Sequence, residues 1–357
     1  MHTVHDAKII VVGGGPAGLA TAALLAQQGH DTLLLAPGAG PDPRTMALMD
    51  PALRLLRSLD IWPGNLHLVS APLRYLEIID ELGTLITAPK LHFSARELGL
   101  EAFGWNIPLQ ALTVELAIAA QRFGVRHLTG KAAAVENLGH GMAVTTADGQ
   151  RLTAELLIAA DGGESLLRKA AGIEVDIKTF DQSALVTSFT HTGSHRDCST
   201  ERHKPGGAFT TVPLPGNRSA LVWMGKPNVL QSLAALTPQG LAREIQLGSH
   251  GALGLISDVA PTRTFPMRTL QARSFAGNRT MLVGEAAHAF PPVGAQGLNM
   301  SLRDAGHVAD AVALSPDAGG DAALAAYDRN RRLDVTSRRA LSASSTPPCW
   351  RISCRWT

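Results

Sequence analysis

Cysteine is scarce in this chain. Cys198, Cys349 and Cys354 are the only three in 357 residues, and they form neither a metal-ligand spacing nor an even disulfide set. Long apolar runs are missing as well: no stretch of about 18 apolar residues exists, which argues against a spanning helix. The N-terminus, with His2, His5 and Asp6 leading straight into a strand, lacks the apolar stretch of a signal peptide, so a cytoplasmic location is expected. Nor does one sign of charge dominate. With 32 basic and 30 acidic residues the net charge is +2, which implies no nucleic-acid-binding field. Basic clusters such as Arg329, Arg331 and Arg332 are local and read as solvated helix faces. No internal repeat is apparent beyond a recurring strand-turn-helix theme.

What is present is a long chain, 45% hydrophobic, able to bury a substantial core in two interleaved domains. Lys8 to Val12 is a short β-branched run that ends at Gly13-Gly14-Gly15-Pro16-Ala17-Gly18, and Leu19 to Gln28 follows with helix formers at helical spacing. Strand, turn and helix in that order suit a dinucleotide. Gly13 permits the tight turn, Gly15 lets backbone approach a pyrophosphate, and Gly18 lets helix and strand pack closely. A glycine-rich turn in any α/β protein would look similar. One expected feature is absent: Thr32 to Leu35 ends at Ala36-Pro37, where an acidic residue for the adenosine ribose is usual.

A second piece, Leu156 to Ala160, is apolar enough for a buried strand, and Asp161-Gly162 turns it into a helix from Ser165 to Ala171 that includes Arg168. Asp-Gly is a common turn dipeptide, so by itself it is an ordinary connection. A third piece repeats the logic. Thr280 to Val283 reads as a strand, Gly284-Glu285 breaks it, and a loop rich in Pro and Gly leads to a helix starting near Gly297. Gly297, Leu298 and Asn299 would present backbone N–H groups where a ring gathers negative charge, and Glu285 would accept hydrogen bonds from a polyhydroxyl chain. Glu285 and His288 alone lack the further ligands of a zinc helix, so no metal is expected.

These three motifs, in this order and spacing over nearly the whole chain, resemble the FAD-dependent aromatic hydroxylases, flavoprotein monooxygenases related to p-hydroxybenzoate hydroxylase; Ala287-His288 through Asn299 is most similar to the ubiquinone-biosynthesis branch. The resemblance implies an α/β fold, a Rossmann-like FAD-binding domain interleaved with a β-sheet substrate domain. It also implies that Gly13, Gly15, Pro16, Ala17 and Gly18 hold the FAD pyrophosphate, with Asp161 nearby. In the Arg44-Thr45-Met46-Ala47-Leu48 segment, Arg44 would lie near the flavin, and Gln110 is similar in placement to a polar FAD contact. Glu285, beside Gly284, stands where the family usually has Asp on the ribitol; Gly297, Leu298 and Asn299 would stabilise the reduced ring. His288 and Pro292 are candidates on the substrate side, although a packed histidine beside Phe290 is the plainer reading of His288. Asp50-Pro51 reads as a helix start with Asp as N-cap.

By the same resemblance NADPH or NADH reduces FAD, O2 adds to give a C4a-hydroperoxide, and oxygen passes to a phenolic ring, most readily a polyprenyl phenol on the way to ubiquinone. Such a lipid-soluble substrate implies contact with a membrane surface or a quinone-synthesis assembly. Hydroxylation of a small soluble aromatic, reduction of prenyl chains, and a non-catalytic assembly subunit stay open. The expected division assigns residues 1–70, 105–175 and 277–340 to the FAD-binding domain and 71–104 and 176–276 to the substrate sheet. Within it, Ala147-Asp148-Gly149 signals a hairpin between Ala143 to Thr146 and Arg151 to Leu152, and Leu73 to Asp80, Thr84 to Thr87, Ala184 to Thr190, Ala208 to Val212 and Ala220 to Met224 read as strands. Residues 341–357 lose periodicity, which suggests an altered or disordered tail.

Overall fold

The computed structural model describes residues 6–38, 40–83, 88–291 and 296–345, with the backbone alone for residues 336–345. The expected strand Thr84 to Thr87, Pro292, Cys349 and Cys354 lie outside the described residues.

The first strand, Ala7–Val12, is flanked by Thr32–Ala36 on one side and Arg151–Ala159 on the other, both parallel to it. Arg126–Thr129 lies parallel beyond Thr32–Ala36, and Thr280–Leu282 parallel beyond Arg151–Ala159. Ile9, Ile10, Val11 and Val12 are buried, as a continuous β-branched run must be when a parallel sheet is covered on both faces. The hairpin strand and the apolar run near Leu156 are one nine-residue strand, because the antiparallel Met142–Thr146 pairs only with its first half.

The Pro16–Gln27 helix follows the first strand, with Pro in its first turn, where a missing N–H costs nothing. Its Ala and Leu residues are buried around most of the circumference because it is sandwiched between the Leu109–Arg122 and Gln296–Ala313 helices.

A second sheet is built on the 17-residue strand Val175–His191, which is antiparallel to Arg218–Gly225 on one edge and to Arg263–Ala272 on the other. Gly207–Leu214, Cys198–Lys204, Tyr75–Asp80 and Leu91–Ser94 extend it outward. The helices Pro227–Ala234 and Pro238–Gly248 cover one face through Leu230, Leu233, Leu241 and Ile245, which meet Leu185, Phe189, Phe209 and Leu221. A third, small sheet joins Thr45–Met49, Gly104–Pro108 and Ala71–Pro72. Its buried Asn106 donates to the Pro213 carbonyl (2.8 Å), tying it to the second sheet.

Four expectations need correction. Ala71–Pro72 pairs within the small sheet rather than the substrate sheet, and His288–Ala289 crosses from the segment assigned to the cofactor domain to pair with Arg263–Ala272. Asp50 is the first residue of the Asp50–Ser58 helix and caps nothing; its carboxylate is held by Arg54 (2.6 Å) and Arg57 (3.4 Å) on the following turns. The last helix, Asp321–Ser345, runs into the region expected to lose structure. Its residues up to 345 contain no helix breaker, and Pro347 is the first.

Candidate functional site

The three motifs meet because of strand register. Val12 is opposite Ala159, and Ala159 is opposite Leu282. The ladder continues into the turns: Gly13 N–H donates to the Leu35 carbonyl (2.9 Å), Ala160 N–H to that of Val12 (2.8 Å), and Val283 N–H to that of Ala159 (2.9 Å). The turns at Gly13, Asp161 and Gly284 therefore stand side by side along the carboxyl edge of one parallel sheet, the edge at which open α/β sheets bind ligands.

The glycines of the first turn are needed for different reasons. Gly13 has φ +122°, and a Cβ on it would lie 2.1 Å from the Ala160 carbonyl oxygen. A Cβ on Gly18 would lie 2.0 Å from the Gly13 oxygen, so first strand, neighbouring strand and helix touch there. A Cβ on Gly14 would lie 2.8 Å from that of buried Ala36. Gly15 is the exception. Among the described residues nothing lies within 4 Å of the Cβ it lacks, no side chain caps the helix it precedes, and the first turn of that helix carries no acidic group. An open cradle with uncapped N–H groups at a positive helix end fits a pyrophosphate.

Asp161 is occupied locally. Its carboxylate accepts from Leu166 N–H (2.7 Å), Leu167 N–H (3.2 Å) and the Ser165 hydroxyl, and so fixes the start of the Leu166–Ala170 helix. Arg168 has a role the sequence did not announce. Buried in its own helix, it donates to the Gly163 carbonyl (2.8 Å) and to the Ala286 carbonyl (2.9 Å), fastening the second motif to the third. Burial depresses its pKa, and the charges of Asp161 and Glu164 oppose that.

Gly284, at φ +62°, packs against the start of the first helix; its absent Cβ would sit 3.2 Å from Ala17. Glu285 is exposed beside it, and its charge reaches Arg44. Arg44 is held by Asp42 through Nη2 (2.6 Å) and Nε (2.9 and 3.1 Å). Those hydrogen bonds hold the Asp42 carboxyl below its ordinary value against the effect of burial, and they raise Arg44. Gln110 supports this loop: its Oε1 accepts from the Asp42 N–H (3.0 Å). Asp42 is a residue that sequence reasoning missed, and its position two residues before Arg44 was the available signal.

Gly297, Leu298 and Asn299 lie in the first turns of the Gln296–Ala313 helix. The Asn299 side chain bridges to Thr45–Met49, accepting from Met49 N–H (2.9 Å) and donating to the Ala47 carbonyl (2.8 Å). It thereby fixes the strand that carries Arg44 to the helix start. His288 is buried, with Nε2 2.8 Å from Asp304 and its ring 5.3 Å from Phe290. No group of three His, Cys, Asp or Glu side chains among the described residues is arranged to hold a metal.

Comparison with known proteins gives one pattern. A family model described as FAD binding domain matches residues 6–339. The ubiquinone hydroxylase UbiL of Rhodospirillum rubrum is 31% identical over 341 residues, covering 92% of this chain and 78% of that protein. The 3-demethoxyubiquinol 3-hydroxylase of Escherichia coli is 28% identical over 313 residues, covering 85% and 78%. Among solved structures, PqsL of P. aeruginosa in complex with 2-aminobenzoylacetate superposes with a TM-score of 0.77 at 21% identity, covering 91% of each chain, which is a likeness of fold.

Proposed function

The chain belongs to the FAD binding domain family and is an FAD-dependent monooxygenase, and from that premise we propose that it hydroxylates the ring of a polyprenyl phenol on the route to ubiquinone. The observation that carries the reading is the register of Val12, Ala159 and Leu282, which supports a single elongated cofactor laid across three turns. The bound flavin supplies electron transfer and activation of O2, and NADPH or NADH is the transient reductant.

The chain's own residues bind and orient. Gly13 to Gly18, with the helix end at Pro16 and Ala17, hold the pyrophosphate. Asp161 shapes the turn beside it, and Gly284 carries Glu285 toward the ribitol. Arg44, steadied by Asp42 and Gln110, flanks the ring, and the backbone N–H groups of Gly297, Leu298 and Asn299 offer positive potential where charge accumulates. The first and second sheets serve as the cofactor and substrate-covering units, and exclusion of water where they meet protects the chemistry. No helix among the described residues is long and apolar enough to cross a membrane. A prenylated phenol resides in the bilayer, so the enzyme meets it at the membrane surface or within a quinone-synthesis assembly.

Purified protein should be yellow, bleach with NAD(P)H under argon, recover colour in air, and convert a prenylated phenol to its singly oxygenated product. Deleting the gene in its host should accumulate the phenol that lacks one hydroxyl. A flavin-loaded protein whose NAD(P)H consumption responds only to small soluble aromatics would replace the substrate; a folded, colourless protein would point to an assembly subunit.

Asp42→Ala tests the placement of Arg44. Losing a charge-assisted clamp should weaken FAD binding roughly tenfold, about 1.4 kcal/mol, in a fluorescence titration. Affinity within about twofold of the wild type would detach Arg44 from the cofactor.

A further inference from the structure

The five residues from Gly284 to His288 contain Glu285, and the segment is held at both ends and between them by hydrogen bonds. Gly284 N–H donates to Asp304 Oδ2 (2.8 Å), and His288 Nε2 meets the same oxygen (2.8 Å). Between them Ala286 gives its carbonyl to Arg168, Ala287 N–H returns to the Gly284 carbonyl (2.9 Å), and the Ala287 carbonyl accepts from Ala272 N–H of the second sheet (2.8 Å). One carboxylate oxygen thus clamps both ends of the segment. Because a carboxylate only accepts, Nε2 carries the hydrogen in the His288 contact.

The other oxygen, Oδ1, lies 2.5 Å from Arg331 Nη2. Arg331 comes from the last helix, and it and Asp304 are both fully buried, so Arg331 does not lie on the solvated face expected of its basic cluster. Asp334 takes its second terminal nitrogen (2.5 Å) and also binds Arg303 (2.6 Å). A buried carboxylate needs such a counter-charge, so the last helix supplies the electrostatic condition under which Asp304 can hold the turn. Tyr327, one turn earlier, donates to the carbonyl of Leu282 (2.6 Å), the end of the strand that leads into the segment.

We infer that Asp304 is a positioning residue for the flavin: by clamping Gly284 and His288 together it sets Glu285 against the cofactor and fixes the crossing from the first sheet to the second. This rests on the FAD reading proposed above. A plain structural role would lower stability and leave cofactor contacts in the folded protein as they were; a positioning role couples Asp304 and His288 to Glu285.

The test uses full-length apoprotein titrated with FAD by fluorescence, with folding followed by circular dichroism. Asp304→Asn should raise the FAD Kd at least tenfold while the protein still melts cooperatively. His288→Phe, which loses the N–H, should raise it about fivefold, and His288→Gln, which keeps an N–H donor, should stay within about twofold of wild type. Glu285→Gln should weaken FAD about tenfold in the wild type but less than about threefold in the His288→Phe background. Folded Asp304→Asn and His288→Phe proteins that bind FAD like wild type, or Glu285→Gln and His288→Phe effects that multiply independently, overturn the inference. If Asp304→Asn does not fold, the His288 pair and the Glu285 cycle decide. Wild-type protein that fails to take up FAD overturns the flavoenzyme reading itself, a result distinct from normal wild-type binding with unaltered variants.

Discussion

Gly13→Ala should abolish flavin binding and unsettle the first sheet together. The new methyl would fall 2.1 Å from the Ala160 oxygen and 2.5 Å from its carbon, both backbone atoms that cannot rotate away. A φ of +122° adds a conformational penalty for any residue with a side chain. Strain of roughly 1–3 kcal/mol and overpacking of about the same size must be relieved by opening the contact between the first strand and Arg151–Ala159. Urea unfolding should show a loss of several kcal/mol, and the FAD Kd should rise at least ~100-fold, about 2.7 kcal/mol. Gly15→Ala is the matched control for space without strain. At φ −73° with nothing among the described residues within 4 Å, alanine fits the backbone, so the urea midpoint should hold. Its methyl nevertheless occupies the cradle above the helix end, and FAD should bind at least about tenfold more weakly. A Gly15→Ala protein that takes up FAD like the wild type would move the pyrophosphate elsewhere.

Arg331→Met should be the most destabilising single change in the last helix. It removes the cation between Asp304 and Asp334 and leaves a buried carboxylate unpaired, a loss of roughly 3–5 kcal/mol in urea unfolding. The acid limb gives an independent check. Burial pushes the Asp334 carboxyl upward, but the hydrogen bonds and charges of Arg331 and Arg303 prevail and hold it at about 2, below its ordinary 3.8. A carboxyl depressed on folding contributes stability above its unfolded pKa, and that contribution disappears as pH falls from 3.8 through about 2. Wild-type stability should fall across that window; in Arg331→Met the carboxyl is held down less strongly, so the fall should be smaller and end at higher pH. An unchanged urea midpoint together with an unchanged acid slope would show that Arg331 is not the counter-charge.

Much of the cofactor edge was legible in the sequence because it is written locally. Strand, glycine turn and helix are consecutive in the first two motifs, whereas in the third His288–Ala289 stands between turn and helix, and Asp161 and Ser165 sit where the following helix needs them. Partnerships across the chain were not legible. Nothing near Arg168 indicates that it grips Ala286, and nothing near His288 points to Asp304, because those contacts arise only when the sheet register brings distant turns together. The polar first half of Val175–His191 hid a strand whose expected length began at Ala184; Lys178 and Asp176 suit an exposed extension, and pairing with Arg263–Ala272 keeps it extended. Asp50 was misjudged because Asp-Pro looks the same whether Asp precedes the helix or begins it, and Arg54 and Arg57 decide the matter.

The order of strands bears on how the chain is born. Ala7–Val12 is buried on both sides in the finished protein, yet its neighbour Arg151–Ala159 leaves the ribosome only after the residues between them have been made, and Thr280–Leu282 later still. During that interval Ile9 to Val12 remain a sticky apolar ribbon with one unmatched edge. Chaperone shielding in the cell, and slow, dilution-sensitive refolding in the test tube, follow from the same arrangement that aligns the three turns.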